Sequence, residues 1–228
     1  MKVKGVIDSL NFSSEHLENY FEDRNMYFIE TVKGIGVFEP QVWTQTFKKS
    51  LQKHIVEAKI LHTFNGLQLP IKRFSSSKLK QTIEFAGLHG YIEKSSFMCE
   101  ILKNLWGQIQ AEVITRIDIA IDFKKAIPKN VLKRVKTSRR TFPCKNTTYF
   151  KTQTEKSTNP YIDIKIYDKA KHANLKYELQ RLEFCFKGGY FRKKYTIEML
   201  DEIIPKLQKT IKRMSGLDVE IEAFKFSL

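Results

Sequence analysis

Residues 115–123 read TRIDIAIDF, with Arg116, Asp118 and Asp122 on alternate positions and Ile117, Ile119, Ile121 and Phe123 between them. Side chains of an extended chain point alternately to opposite faces, so the guanidinium and both carboxylates share one face. YIDIKIYDK (161–169) sets Asp163, Lys165, Tyr167 and Lys169 against Ile162, Ile164 and Ile166. QRLEFCFK (180–187) sets Arg181, Glu183, Cys185 and Lys187 against Leu182, Phe184 and Phe186. If the three strands are neighbours, Asp118, Asp122 and Glu183 form an oxygen-rich pocket bordered by Arg116, Lys165, Lys169, Arg181 and Lys187. Hard carboxylates suit Mg²⁺ or Mn²⁺, ions that hold phosphate oxygens, and the surrounding bases suit a phosphodiester backbone.

Just beyond, KGGYFRKKY (187–195) brings Tyr190 and Tyr195 together with Arg192, Lys193 and Lys194. A phenol beside a divalent metal can attack a phosphodiester, and basic neighbours favour its ionised form. The competing reading is structural. Alternating charges on a strand face form cross-strand ion pairs of about 0.2 to 1 kcal/mol each, and tyrosines pack well with their hydroxyls wet.

These residues need strands to hold them in register. The chain opens with a strand at KGVIDSLNF, followed by a helix capped by Ser13 or Ser14 and running to about Glu22. NMYFIETVKGIGVFE reads as a strand and turn; the segment from Val42 to Phe64 fits helix or strand. LPIKRF and LKQTIEFAG flank SSSK as a hairpin ending at Gly87, and a helix from Ser95 or Ser96 buries Phe97, Ile101, Leu105 and Met98, Leu102, Trp106, Ile109. After the Glu112–Phe123 strand, Pro128 precedes a short helix, KNVLKRVK. The rest of 129–160 reads as a long, basic, mobile loop carrying Arg139 and Arg140 as candidate DNA contacts. The closing helix from Ile197 contains Pro205, which predicts a kink or a break. The fold class expected is α+β: a largely antiparallel sheet with helices on one face and a basic, acid-containing face open to a ligand, in one domain spanning 1–228.

The chain's 228 residues carry a formal charge of +15. Residues 1–110 hold 14 Lys/Arg against 11 Asp/Glu, whereas 111–228 hold 26 against 14. Such a basic surface favours nucleic acid as partner, with an anionic membrane surface as the alternative. No apolar run reaches the ~18 residues of a membrane span and the start lacks a signal-peptide core, so a cytoplasmic location is expected. Cys99, Cys144 and Cys185 are too far apart for a CxxC zinc pair and odd in number for a disulfide framework.

In order and spacing, RIDIAIDF, IKIYDKAK and RLEFCFKGGY resemble the RxDxAxD, YxK and RxExxxK signatures of the Rep_trans-type replication initiation factors of rolling-circle plasmids and related phages. VIDSLNFS and IEFAGLHGY are similar to that family's first strand and to its strand-and-glycine element. The resemblance implies a metal-dependent DNA strand transferase, a nicking endonuclease that keeps the 5′ phosphate on a tyrosine and leaves a 3′ hydroxyl as primer. It implies Asp118 and Glu183 as metal ligands with Asp122 as third, and Tyr190 as nucleophile with Tyr195 as the alternative. Arg116, Lys169, Arg181 and Lys187 would position phosphate, with Lys165, Arg192 and Lys193 as further DNA contacts and Asp8 and Glu84 structural or DNA-facing. Single-stranded or hairpin origin DNA, a host helicase and a second copy of the chain are the partners it implies. No separate origin-binding domain is evident.

Overall fold

The computed structural model describes residues 1–14, 38–49, 52–63, 68–69, 81–88, 102, 106–107, 109–137, 139–152, 161–191 and 194–222. Its elements are β1 (Lys2–Ser14), β2 (Phe38–Lys49), β3 (Gln52–Thr63), β4 (Gln68–Leu69), β5 (Gln81–Ala86), β6 (Val113–Phe123), α1 (Lys129–Lys136), β7 (Arg139–Cys144), β8 (Thr147–Thr152), β9 (Ile162–Asp168), α2 (Lys169–His172), β10 (Gln180–Lys187), α3 (Leu200–Ser215) and β11 (Asp218–Glu222). Two 3₁₀ turns, Gly188–Tyr190 and Ile197–Met199, precede α3. The helix expected from Ser13 to Glu22 lies outside the described residues. So does most of the one expected from Ser95; Leu102, Trp106 and Ile109, all buried, are described.

Residues divide into two compact units, 1–9 with 116–227, and 10–115. In the first, seven strands run in the order β11, β1, β6, β10, β9, β8, β7. Strand β10 is antiparallel to both β6 and β9, and β8 is antiparallel to β9 and β7, whereas β11 is parallel to β1. The α+β class with a mostly antiparallel sheet is therefore as the alternation of the sequence implies. Ile117, Ile119, Ile121, Leu182, Phe184 and Phe186 are buried, as is the α3 stripe of Leu200, Ile203, Ile204, Leu207 and Ile211. Burying each such side chain contributes about 1.5 to 3 kcal/mol, so this apolar layer holds the sheet and its helix together.

Pro205 lies within α3, which continues unbroken from Leu200 to Ser215. It falls early in the helix, where few turns precede it to lose hydrogen bonds. Gly216 ends α3 in the left-handed region at φ 76°, donating to Lys212 O at 2.8 Å, and turns the chain into β11. Of the segment expected as a mobile loop after KNVLKRVK, residues 139–152 are instead the β7–β8 hairpin, closed by Lys145 and Asn146 with Lys145 at φ 52°, and residues 153–160 lie outside the described residues. Thr141, Phe142, Thr147, Thr148, Tyr149 and Phe150 give it the β-branched and aromatic content that its lysines and arginines masked.

In the second unit, β2, β3 and β4 form an antiparallel sheet whose β2–β3 hairpin pairs Phe38 with Thr63 through to Lys49 with Gln52. The segment that fitted either helix or strand is thus extended. Phe12 stacks on Phe85 with centroids 6.0 Å apart.

Candidate metal centre

Strand β10 lies between β6 and β9, so the three patterned segments are neighbours. Register fixes the rows across the sheet. Cys185 sits between Asp118 and Asp163, Glu183 between Ala120 and Lys165, and Arg181 between Asp122 and Tyr167. Lys187 pairs with Arg116 at the end of the same face. Because Ala120 presents only a methyl beside Glu183, the acids of neighbouring rows can lean toward one another.

Asp118 and Glu183, 1% and 4% exposed, do converge. One oxygen from each and Cys185 Sγ lie within 4.8 Å of one another. Asp122 does not join them. Arg181, fully buried, holds both its oxygens in a fork, Nε to Oδ1 at 2.8 Å and a second bond at 2.9 Å, and reaches Asp8 of β1 at 2.9 Å.

Cations cover these acids. Arg116 forks onto Asp118, with Nε 2.7 Å from Oδ1. Lys165 Nζ is 2.6 Å from Glu183 Oε1 and 3.7 Å from Asp118 Oδ2. Lys187 pairs with Asp163. The face expected to be open to DNA is therefore closed at its centre: the acids are buried, and the partly exposed groups above them are Arg116, Lys165 and Lys187. Desolvated carboxylates are costly unless paired, which draws the basic side chains over them.

Burial, reinforced by the charge of Glu183, pushes Asp118 up to about 6 against the pull of Arg116. Glu183 goes the other way. Burial opposes its ionisation, but the charge and hydrogen bond of Lys165, with bonds from Asp118 and Tyr167, lower it to about 2. Burial and the neighbouring carboxylates hold the Cys185 thiol protonated. Lys169, partly buried and facing Arg181, has its pKa lowered by both.

The tyrosines divide between the two sides of β10. Tyr190 packs against Phe186, centroids 4.8 Å apart, and its hydroxyl bonds Lys206 O and Thr210 Oγ1 on α3 at 3.2 and 2.9 Å. Tyr195 accepts from Lys206 Nζ at 2.9 Å. Phe186 alternates with Cys185 and Lys187, so Tyr190 contacts the apolar side of β10 rather than the acid side. The phenol at the acids is Tyr167, which donates to Glu183 Oε2 at 2.9 Å. Burial and the charge of Glu183 raise its pKa.

Of the two glycines in KGGY, neither has positive φ. Gly189 instead makes room for a ring: a Cβ there would lie 1.7 Å from Tyr161 Cε1. Arg192 and Lys193 and the side chain of Glu84 lie outside the described residues. Arg139 and Arg140 open β7, one strand beyond β8, away from the acids. Tyr167, Cys185 and Asp163 join the site by the same alternation that marked Asp118 and Glu183. Period two flags every second residue alike, and only the register tells which meet.

Two carboxylates and a thiol, buried and mutually close, make a donor set that fits a divalent ion. No helix among the described residues is long and apolar enough to cross a membrane. No protein-family profile and no curated protein sequence matches the chain. Among solved structures it is similar to a rolling circle replication initiator protein from Geobacillus stearothermophilus, at 16% identity and a TM-score of 0.47, over 93% of this chain and 85% of that one.

Proposed function

We propose that this chain initiates rolling-circle replication by metal-dependent nicking and joining of one DNA strand through a 5′-phosphotyrosine link. The observation that carries the reading is the meeting of Asp118 and Glu183, 65 residues apart in the chain, on adjacent strands beneath a rim of Arg116, Lys165 and Lys187. The ordered signatures in which these residues stand support it independently. Mg²⁺ or Mn²⁺ bound there supplies Lewis acidity at the scissile phosphate. Asp118 and Glu183 would hold it, and Arg116, Lys165 and Lys187 on the rim would contact the flanking phosphates. The β7–β8 hairpin, with Arg140, Lys151 and the exposed Phe142, adds backbone and stacking contacts.

The nucleophile is a tyrosine for which two different grounds compete. Tyr190 and Tyr195 follow the RxExxxK strand, as the resemblance implies. Tyr167 already hydrogen-bonds a proposed metal ligand. Release of Tyr190 from Lys206 and Thr210 is a requirement of the first assignment and not of the second.

Intact-mass detection of a protein–oligonucleotide adduct decides the matter, using single-stranded oligonucleotides tiling the DNA around the gene, with Mn²⁺ or with EDTA. The expected result is an adduct with Mn²⁺ alone, lost in Asp118→Asn and in one of Tyr167→Phe, Tyr190→Phe and Tyr195→Phe. The ion pairs that cover Asp118 and Glu183 favour a second reading, a basic nucleic-acid-binding sheet without catalysis. Salt-sensitive DNA binding with no adduct, and unchanged in Asp118→Asn, would establish that reading instead.

A further inference from the structure

The oxygen-only donor set of a magnesium enzyme is not what the rows of this sheet present. Cys185 occupies the central strand position between Asp118 and Asp163, fully buried, with Sγ 3.5 Å from Glu183 Oε1. Asp163, on the other side of it, keeps one buried oxygen, Oδ1, with no hydrogen-bond partner. Metal–oxygen and metal–sulfur bonds of about 2.1 and 2.3 Å place ligand atoms roughly 3 to 4.5 Å apart, so atoms gathered within 4.8 Å need to close only slightly.

Resting on the proposed metal site, we propose that Cys185 is a thiolate ligand in it, completing an Asp118–Glu183–Cys185 centre that selects Zn²⁺ or Co²⁺ over Mg²⁺. On binding, a metal–sulfur bond forms and the thiol proton leaves to solvent; no oxidant or reductant is involved. Sulfur accounts for the selectivity. Mg²⁺ demands near-octahedral oxygen coordination and dehydrates reluctantly, whereas Zn²⁺ and Co²⁺ accept thiolate and lower coordination numbers. The thiol and the carboxylate already touch, Sγ to Oε1 at 3.5 Å. The thiol donates weakly to the oxygen that would become its fellow ligand.

The test titrates the full chain with Co²⁺, then competes with Zn²⁺ and Mg²⁺, in wild type, Cys185→Ser, Cys144→Ser and the Cys99→Ser/Cys144→Ser pair. A sulfur-to-cobalt charge-transfer band is expected in wild type and in every variant that retains Cys185. Cys185→Ser should lose the band and bind Zn²⁺ at least tenfold more weakly, narrowing the preference for Zn²⁺ over Mg²⁺. Ion binding without the band, or with a band that survives Cys185→Ser, overturns the sulfur ligand and leaves the carboxylate site standing. Absence of binding by any of the three ions overturns both. Should Cys185→Ser not fold, the Cys99→Ser/Cys144→Ser chain, in which Cys185 is the remaining thiol, decides by the presence or absence of the band.

Discussion

The ammonium of Lys165 lies 2.6 Å from Glu183 Oε1, where it also reaches Asp118 at 3.7 Å. It stands between the two carboxylates proposed to hold a metal, so lysine and ion compete for one position. Lys165→Met keeps most of the stem and removes the charge. Mn²⁺ affinity, measured by calorimetry, should rise on the order of tenfold. The metal-free variant should unfold in urea with a loss of about 3 to 5 kcal/mol, because two buried acids lose their shared cation. Saturating Mn²⁺ should restore much of that loss.

Asp118 gives the metal-free chain an acid-side preference. Its carboxyl holds a proton more tightly folded than unfolded, so its contribution is complete below the ordinary 3.8 and is lost as pH rises through about 6. Glu183 is shifted oppositely; its contribution is present above 4.5 and lost as pH falls through about 2, leaving that window to Asp118. Between about pH 5 and pH 7, wild type should lose roughly 1 kcal/mol more than Asp118→Asn in urea unfolding under EDTA. Equal slopes for the two proteins would remove the buried carboxyl from the explanation.

Arg181 is the buried cation that binds Asp122 and Asp8 at once. Arg181→Met should cost about 3 to 5 kcal/mol, since it strands both acids. Arg181→Lys should recover part of this but not all, because an ammonium cannot make the two-pronged bond to Asp122. Chemical denaturation of the three proteins at one pH measures both steps.

Gly189 and Tyr161 should prove coupled. Gly189→Ala places a methyl where the Tyr161 ring lies, and because that ring is half exposed and can swing aside the loss should be about 1 kcal/mol or less. Tyr161→Ala removes the obstacle, so the alanine at 189 should cost far less in that background. Additive losses in the double-mutant cycle would show that the glycine serves another purpose.

The hairpin's basic groups should set the salt dependence of DNA binding. Arg140→Ala and Lys151→Ala should each lower the slope of log K against log salt by about one, the signature of a lost phosphate contact, as read by fluorescence anisotropy across salt concentrations.

The acid face was legible in the sequence because period-two alternation is a local property, and RIDIAIDF, IKIY and RLEFCF each display it without ambiguity. Adjacency was not, since nothing in β6 alone states that β10 lies beside it. The division of the acids depended on that same register: Arg181 faces Asp122 and takes it, leaving Asp118 and Glu183 to each other. Tyr190 is close in sequence to Glu183 yet contacts the opposite side, because a 3₁₀ turn after Lys187 sends its ring against Phe186. The strand β11, DVEIE, was missed: five residues with acids at alternate positions give a weak apolar signal, and parallel pairing with β1 supplies what composition does not.

That pairing joins Lys2 with Asp218 and Val6 with Glu222, so two strands more than 200 residues apart in sequence, about the whole length described, hold one another in register. Asp8, the second anchor of Arg181, rides on β1. Weakening the β1–β11 pairing should therefore loosen Asp8 and, through Arg181, Asp122 on the far side of the buried cluster.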